Sequence, residues 1–320
     1  MRSLVTGVAG FVGSTLAERL IDLGHDVVGV DRFSPSYARD VKESNLARLR
    51  LSARFRLFEI DLASSDLAAP FEGVDVVFHQ AAQAGVRKSW RENFADYTRD
   101  NVLATQRVLE ASRGARVKKV ITASSSSVYG QTEDLPMRET SLPKPYSPYG
   151  VTKLAAEHLA ELYRSNFGLE TVSLRYFTVY GPRQRPDMAF HGFIDALARG
   201  EKVTVFGDGE QTRDFTFVSD AVDANVLAMN AAATGVFNIG GGSRVSVNHV
   251  LATLARVMDV APPSAEARVE HRGEQAGDVR HTSADTTRAA QILGFTPKTP
   301  LEEGLRAQVA WQLSSRRVRS

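Results

Sequence analysis

An α/β fold, a doubly wound parallel sheet with a smaller mixed α/β substrate domain, is predicted by three features of the 320-residue chain. β-branched runs alternate with stretches of helical periodicity through the first half. Closely spaced glycines interrupt the first alternation. Past residue 176 the alternation loosens among prolines and glycine turns.

The elements follow in order. Residues 2–6 and 26–31 are β-branched, and Phe11, Leu16, Leu20 and Ile21 between them repeat at helical spacing, so a strand, a helix and a strand are expected. Further apolar strands fall at 55–60, 74–79, 117–124 and 169–174, with helix-length gaps, as in a parallel sheet covered on both faces. After Arg175, Pro182, Pro186, Gly207, Gly209, Gly240 to Gly242, Pro262, Pro263, Pro297 and Pro300 mark shorter elements of a second unit. Residues 215–239 again read strand, helix, strand, so the chain is expected to return to the first unit. The resulting division is 1–176 plus 215–243 for a cofactor-binding domain and 177–214 plus 244–320 for a substrate domain.

Composition narrows the function classes. Hydrophobic residues at 43% and charged residues at 24% exclude disordered and fibrous chains. The 39 basic and 37 acidic residues are dispersed, which argues against nucleic acid as partner. The basic tail Arg316, Arg317, Arg319 reads as a frayed end. Without cysteine there is no disulfide, thiolate metal site or thiol nucleophile, and no metal is expected. The N-terminus enters a strand directly, and no apolar run reaches about 18 residues, so a cytoplasmic chain without a membrane segment is expected.

Gly7, Gly10 and Gly13 lie between the first strand and helix. Gly7 can take the tight turn, Gly10 lets the main chain approach a pyrophosphate, and Gly13 lets helix and strand pack closely, with Phe11 and Val12 opening the helix toward the phosphates. Asp31 closes the second strand eighteen residues after Gly13, where a carboxylate accepts both ribose hydroxyls and repels a 2′-phosphate. NAD is therefore favoured in a Rossmann-type domain, while Arg32 keeps NADP open. Asp61 and Leu62 after the third strand, and Ala81 and Ala82 after the fourth, fall where adenine and its ribose would lie; a helix N-cap is the other reading of Asp61.

Tyr149 and Lys153 are four apart in a segment that begins Ser147-Pro148 and reads as helix, so they share a face. A phenol titrating near 10 is a poor base at neutral pH, and a nearby ammonium favours its phenolate. Lys153 could also hold the nicotinamide ribose. Ser124 to Ser127 follow the fifth strand at the same sheet edge, where one hydroxyl can bridge Tyr149 and a reacting alcohol.

Together, Thr6 to Gly13, the serine run before Val128-Tyr129-Gly130, and Tyr149 with Lys153 resemble the extended short-chain dehydrogenase/reductases that act on nucleotide sugars. The resemblance implies that Ser125 is the catalytic serine and Asn101 a cofactor-side asparagine. Dehydratases of this kind carry Asp and Glu in the two positions after the catalytic residue, and UDP-glucuronate decarboxylases keep the Glu. Here those positions are Ser126 and Ser127, which leaves epimerisation through a transient 4-keto sugar.

The segment 174–182 with Arg185 to Ala189 is most similar to UDP-glucuronate 4-epimerases, which would interconvert UDP-glucuronate and UDP-galacturonate. The resemblance implies that Ser126, Ser127 and Thr178 bind a sugar carboxylate and that Arg185 binds it or the diphosphate. It further implies Arg213 on the diphosphate, Asp278 on the uridine ribose and Phe206 on uracil, and Arg87 is counted among the substrate-binding candidates. Arg183-Gln184 ahead of Arg185 departs from the family pattern. A 4-keto-glucuronate is a β-keto acid prone to lose carbon dioxide, so hydroxyls that fix the carboxylate would protect it.

A neutral-sugar epimerase for UDP-glucose/galactose or the UDP-N-acetylhexosamines, and a catalytically silent NAD sensor, are the alternative expectations. A homodimer is implied by resemblance, through helices near 93–113 and 147–165 bearing Leu154, Leu159 and Leu162.

Overall fold

Short apolar runs separated by helix-length segments are what the observed parallel sheet requires. In this computed structural model, residues 1–260 and 269–317 are described, so Pro262, Pro263 and Arg319 lie outside; the side chains of Arg316 and Arg317 lie outside as well. The strands are β1 (Arg2–Thr6), β2 (Asp26–Asp31), β3 (Phe55–Glu59), β4 (Val76–His79), β5 (Lys119–Ser125), β6 (Glu170–Tyr176), β7 (Val179–Tyr180), β8 (Val203–Phe206), β9 (Thr212–Asp214), β10 (Thr216–Phe217), β11 (Gly235–Ile239), β12 (Arg244–Ser246) and β13 (Val269–Arg272). Seven of them form one parallel sheet in the order β11-β6-β5-β4-β1-β2-β3.

Successive residues of each strand serve opposite faces. Val5, Val27, Phe78, Ile121 and Val172 pack under the helices Phe11–Asp22 and Val218–Asn230. Leu4, Val28, Val77 and Val120 pack under Ala104–Gly114 and Pro148–Phe167. Both faces are dry, which is why these strands read as continuous apolar runs. The strand order reverses direction between β1 and β4, and their carboxyl ends open the crevice where such sheets bind ligands.

A separate cluster of Tyr180, Phe190, Ile194, Val203, Phe215, Val250, Leu254 and Leu305 forms the smaller unit. Its strands pair as β8 with β13 and β9 with β12. Within the stretch 215–239, β11 lies beside β6 in the large sheet, while β10 pairs with β7 outside it. Of the stretch 244–320, Ala289 and Leu293 of the helix Thr287–Leu293, with Phe295, pack into the large sheet's core.

Candidate active site

The glycine turn is built by the absence of side chains. Gly7 has φ +67°, and a Cβ there would lie 2.8 Å from the Ala81 backbone; at Gly13 it would lie 2.2 Å from the Gly7 carbonyl oxygen and at Gly10 3.1 Å from the same atom. The helix Phe11–Asp22 starts without a side-chain cap, which leaves the amides around Phe11 and Val12 for an anionic ligand. These features fit a dinucleotide pyrophosphate.

Asp31 accepts from the Ala9 amide at 3.0 Å and the Phe33 amide at 2.8 Å. A carboxylate has about four acceptor sites, so capacity for a ribose diol remains. Asp31 lines a cleft with Gly7, Arg32, Asp61, Leu62, Ala81 and Ala82. Arg32 is paired with Asp61 and Asp100, and Arg99 with the same two carboxylates. Asp61 also accepts the Ala63 amide at 2.8 Å, but the chain there forms a turn and no helix, so the N-cap reading does not hold.

The helix Pro148–Phe167 starts where the sequence indicates: Ser147 Oγ accepts the Gly150 amide at 3.1 Å and Pro148 occupies its first turn. Lys153 is 6% exposed and its Nζ donates to the Ala123 carbonyl at 2.7 Å. Burial pulls this lysine down to about 8 against the opposing pull of Glu157. Tyr149 stands edge-on to the buried Tyr97, with ring centroids 6.1 Å apart. Burial pushes the Tyr149 phenol up, and Ser125 and the Arg185 guanidinium pull it back. The groups that favour the phenolate are thus Ser125 and Arg185 and not, as the helical spacing suggested, the Lys153 ammonium, which is engaged at Ala123.

Strand register gathers the remaining candidates. Ser125 of β5 lies opposite Tyr176 of β6, so Ser126 and Ser127 leave the sheet beside Phe177 and Thr178. Ser124 points inward at 6% exposure, whereas Ser125, Ser126 and Ser127 are half-buried. Ser125 Oγ meets both the Ser127 hydroxyl and amide at 3.1 Å. Asn101 sits in the π-helical turn Thr98–Leu103; it accepts from the Gln83 amide at 2.8 Å and donates to the Gln83 carbonyl and the Thr152 hydroxyl. It thereby ties the loop after β4 to the helix of Lys153.

Across the cleft, Arg87 lies 4.0 Å over the Phe206 ring and donates to Asp278 at 2.7 Å. Arg213 donates only to the carbonyls of Thr212 and Arg280, and among the described residues it has no carboxylate within ion-pair distance. The acids beside it in sequence are taken: Asp208 by Arg280, and Asp214 by the amides of Gly241 and Ala284. Arg185 pairs with Asp187 at 2.9 Å. Arg183, at φ +71°, turns away from this side and pairs with Glu18 of the first helix at 2.8 Å. The departure from the family pattern therefore joins the two units.

Sequence reasoning passed over Glu157 and Arg175, a buried ion pair behind Lys153. A glutamate four residues after the lysine, on the same helix face, was the available signal. It also passed over His79, whose ring bonds Thr6 and Thr105 at 2.8 and 3.0 Å and which burial holds neutral down to about 3.

The profile of the NAD dependent epimerase/dehydratase family matches residues 3–240. An uncharacterized UDP-glucose epimerase of Bacillus subtilis, YtcB, is 43% identical over 97% of this chain and 98% of its own. A UDP-glucuronate 4-epimerase of Thermodesulfobacterium geofontis is 36% identical over 96% of this chain and 95% of its own. The crystal structure of UDP-glucuronic acid 4-epimerase from Bacillus cereus, in complex with UDP-glucuronic acid and NAD, superposes with a TM-score of 0.94 at 39% identity, covering 98% of this chain and all (100%) of that one.

Proposed function

Because the chain belongs to the NAD-dependent epimerase/dehydratase family, we propose that it is an isomerase that inverts C4 of a UDP-sugar, converting UDP-glucuronate to UDP-galacturonate, with NAD as its cofactor. The observation that carries the reaction type is the makeup of the sheet edge: Tyr149, Lys153 and Ser125 gather there, and hydroxyls occupy the two positions after Ser125. A dehydration needs an acid and a base at that point. Proton transfer at a single hydroxyl needs only the phenol.

Gly7, Gly10 and Gly13 cradle the pyrophosphate, Asp31 takes the adenosine ribose, and Arg32, already held by two carboxylates, is poorly placed to welcome a 2′-phosphate. NAD, when bound, supplies the acceptor and donor of hydride for C4 of the sugar. Tyr149 removes the proton of the 4-hydroxyl and returns it to the C4 oxygen once the 4-keto sugar has turned its opposite face. Ser125 orients that hydroxyl and, with the Arg185 guanidinium, favours the phenolate, while Lys153 holds the nicotinamide ribose. The sugar must present both faces of C4 in turn, so it is gripped lightly while Arg213, Asp278, Phe206 and Arg87 hold the UDP.

Ser126, Ser127 and Thr178 suit a uronate because neighbouring hydroxyl donors fix the carboxylate of a β-keto acid away from alignment with the carbonyl. The similarity to YtcB favours a second reading, a neutral UDP-hexose. Incubation with UDP-glucuronate and, separately, UDP-glucose, followed by NMR of the product, decides: UDP-galacturonate formation supports the first reading, and turnover of UDP-glucose alone overturns it.

The reading extends to a cytoplasmic homodimer. Phe94, Leu103, Val151, Leu162 and Phe167 are 42 to 55% exposed on the two helical segments expected to pair. Leu154 and Leu159 instead pack inside the monomer. Among the described residues no helix is long and apolar enough to cross a membrane. Sedimentation at the monomer mass would refute the dimer.

A further inference from the structure

Glu157 stands one helical turn beyond Lys153 and is 7% exposed. Arg175 of β6, itself 3% exposed, donates from Nε to Oε1 at 2.9 Å and from Nη2 to Oε2 at 2.7 Å. Ser124, at the end of β5, donates its hydroxyl to Oε1. The third arm of Arg175 donates to the Tyr129 hydroxyl at 2.9 Å, which donates in turn to Asn238 of β11 at 2.7 Å. One carboxylate thus joins the helix of Tyr149 and Lys153 to three adjacent strands.

Stability alone is a weak reason for such an arrangement, since apolar residues of similar volume commonly replace a buried ion pair at no loss. Its position supplies a better one. Ser124 immediately precedes Ser125, so the hydroxyl–carboxylate bond sets how far the helix slides along the serine loop. Lys153 and Glu157 share a helix face. Among the described residues, Lys153 shares its helix face with Tyr149 and interacts with His79 of β4, which is neutral; Glu157 is faced by Arg175 of β6, with Tyr129 behind it.

We propose that Glu157 is a positioning residue for the reaction: through Ser124 it fixes the register of the Tyr149–Lys153 face against Ser125, and its charge, shared with Arg175, acts on the buried Lys153 one helical turn away. The proposal rests on the epimerase reading. Glu157 does not touch substrate, so its removal acts on kcat and on pH dependence and leaves KM alone.

The test compares Glu157→Gln and Ser124→Ala with wild type, all as full-length protein. Glu157→Gln keeps the shape and removes the charge. The alkaline limb of log kcat against pH should move down by about one unit, the effect of losing one nearby opposite charge, with KM changed less than about twofold. The same displacement should appear without turnover in the NMR titration of 13Cε-labelled lysine, with the Lys153 signal assigned from Lys153→Arg. Ser124→Ala should lower kcat about tenfold without displacing the limb. A Lys153 titration and alkaline limb identical to wild type in Glu157→Gln, with only the melting temperature lowered, overturns the proposal. If Glu157→Gln does not fold, an unchanged kcat in Ser124→Ala overturns it and the tenfold loss upholds it. Failure of the wild type to turn over any UDP-sugar would instead sink the epimerase reading, and the lysine titration would still decide this one.

Discussion

The two walls of the cleft are made of different material. At the glycine turn the surface is main chain, with contacts so close that a single added methyl group at Gly13 would sit 2.2 Å from a carbonyl oxygen. On the facing side it is side chains, most already paired with one another: Arg87 with Asp278, Arg185 with Asp187, Arg280 with Asp208. Main-chain geometry has one solution, whereas ion pairs in partial solvent can be exchanged at little cost. A family can therefore keep its cofactor wall and change its sugar by substitution on the other.

The sharpest way to break this contrast is Gly13→Ala. The close approach leaves no room for relaxation, so bound NAD and activity should both be lost; a variant that purifies with stoichiometric NAD, read by absorbance after denaturation, would show the wall to be softer than its geometry. Next in size is Tyr149→Phe, which stands between the walls and serves both. Its kcat should fall by about 10²–10⁴-fold with NAD still bound.

Arg213→Met probes the side-chain wall. Losing the proposed charge-assisted contact to the diphosphate should raise KM by about 10- to 100-fold and leave kcat within a few fold, as expected where about 1.5–3 kcal/mol of uniform binding is removed. Smaller again is the effect of Thr178→Val with Ser127→Ala: more pentose by-product from UDP-glucuronate per turnover. Pentose release equal to wild type would remove these hydroxyls from the carboxylate.

Acid should distinguish the two sides most gently. His79, beneath the glycine turn, is held neutral to about 3, so its folded value lies below the unfolded one. Its stabilisation is complete above about 6.5 and is lost as pH falls, by about 1.4 kcal/mol per unit. Asp214, on β9 of the smaller unit, is pushed up to about 6 by burial despite the amides of Ala284 and Gly241. Its contribution is complete below about 3.9 and is lost as pH rises through 6. Urea unfolding between pH 4 and 6 should therefore find that the gap between wild type and His79→Asn widens with rising pH, while the gap to Asp214→Asn narrows. Parallel curves would refute the assignment.

Legibility followed the same division. The parallel sheet, its order of elements and the glycine turn could be read directly, because apolar alternation and glycine spacing are local and each is tied to one backbone geometry. The Tyr149–Lys153 face was readable too, since four residues on a helix is a fixed distance, and Ser147-Pro148 announced where that helix begins. On the substrate side only resemblance pointed to Arg213, Asp278 or Phe206.

What the chain determined by itself is thus the scaffold and the identity of its chemical groups. Tertiary structure alone decided their partners: that Lys153 rests on Ala123, that Arg183 reaches back 165 positions to Glu18, and that Ser124 turns inward to Glu157 while the three serines after it stay half-buried. The physical reason is that a charge or hydroxyl is satisfied by whatever is nearest in space. Sequence spacing fixes that neighbour only within a helix turn or along a strand.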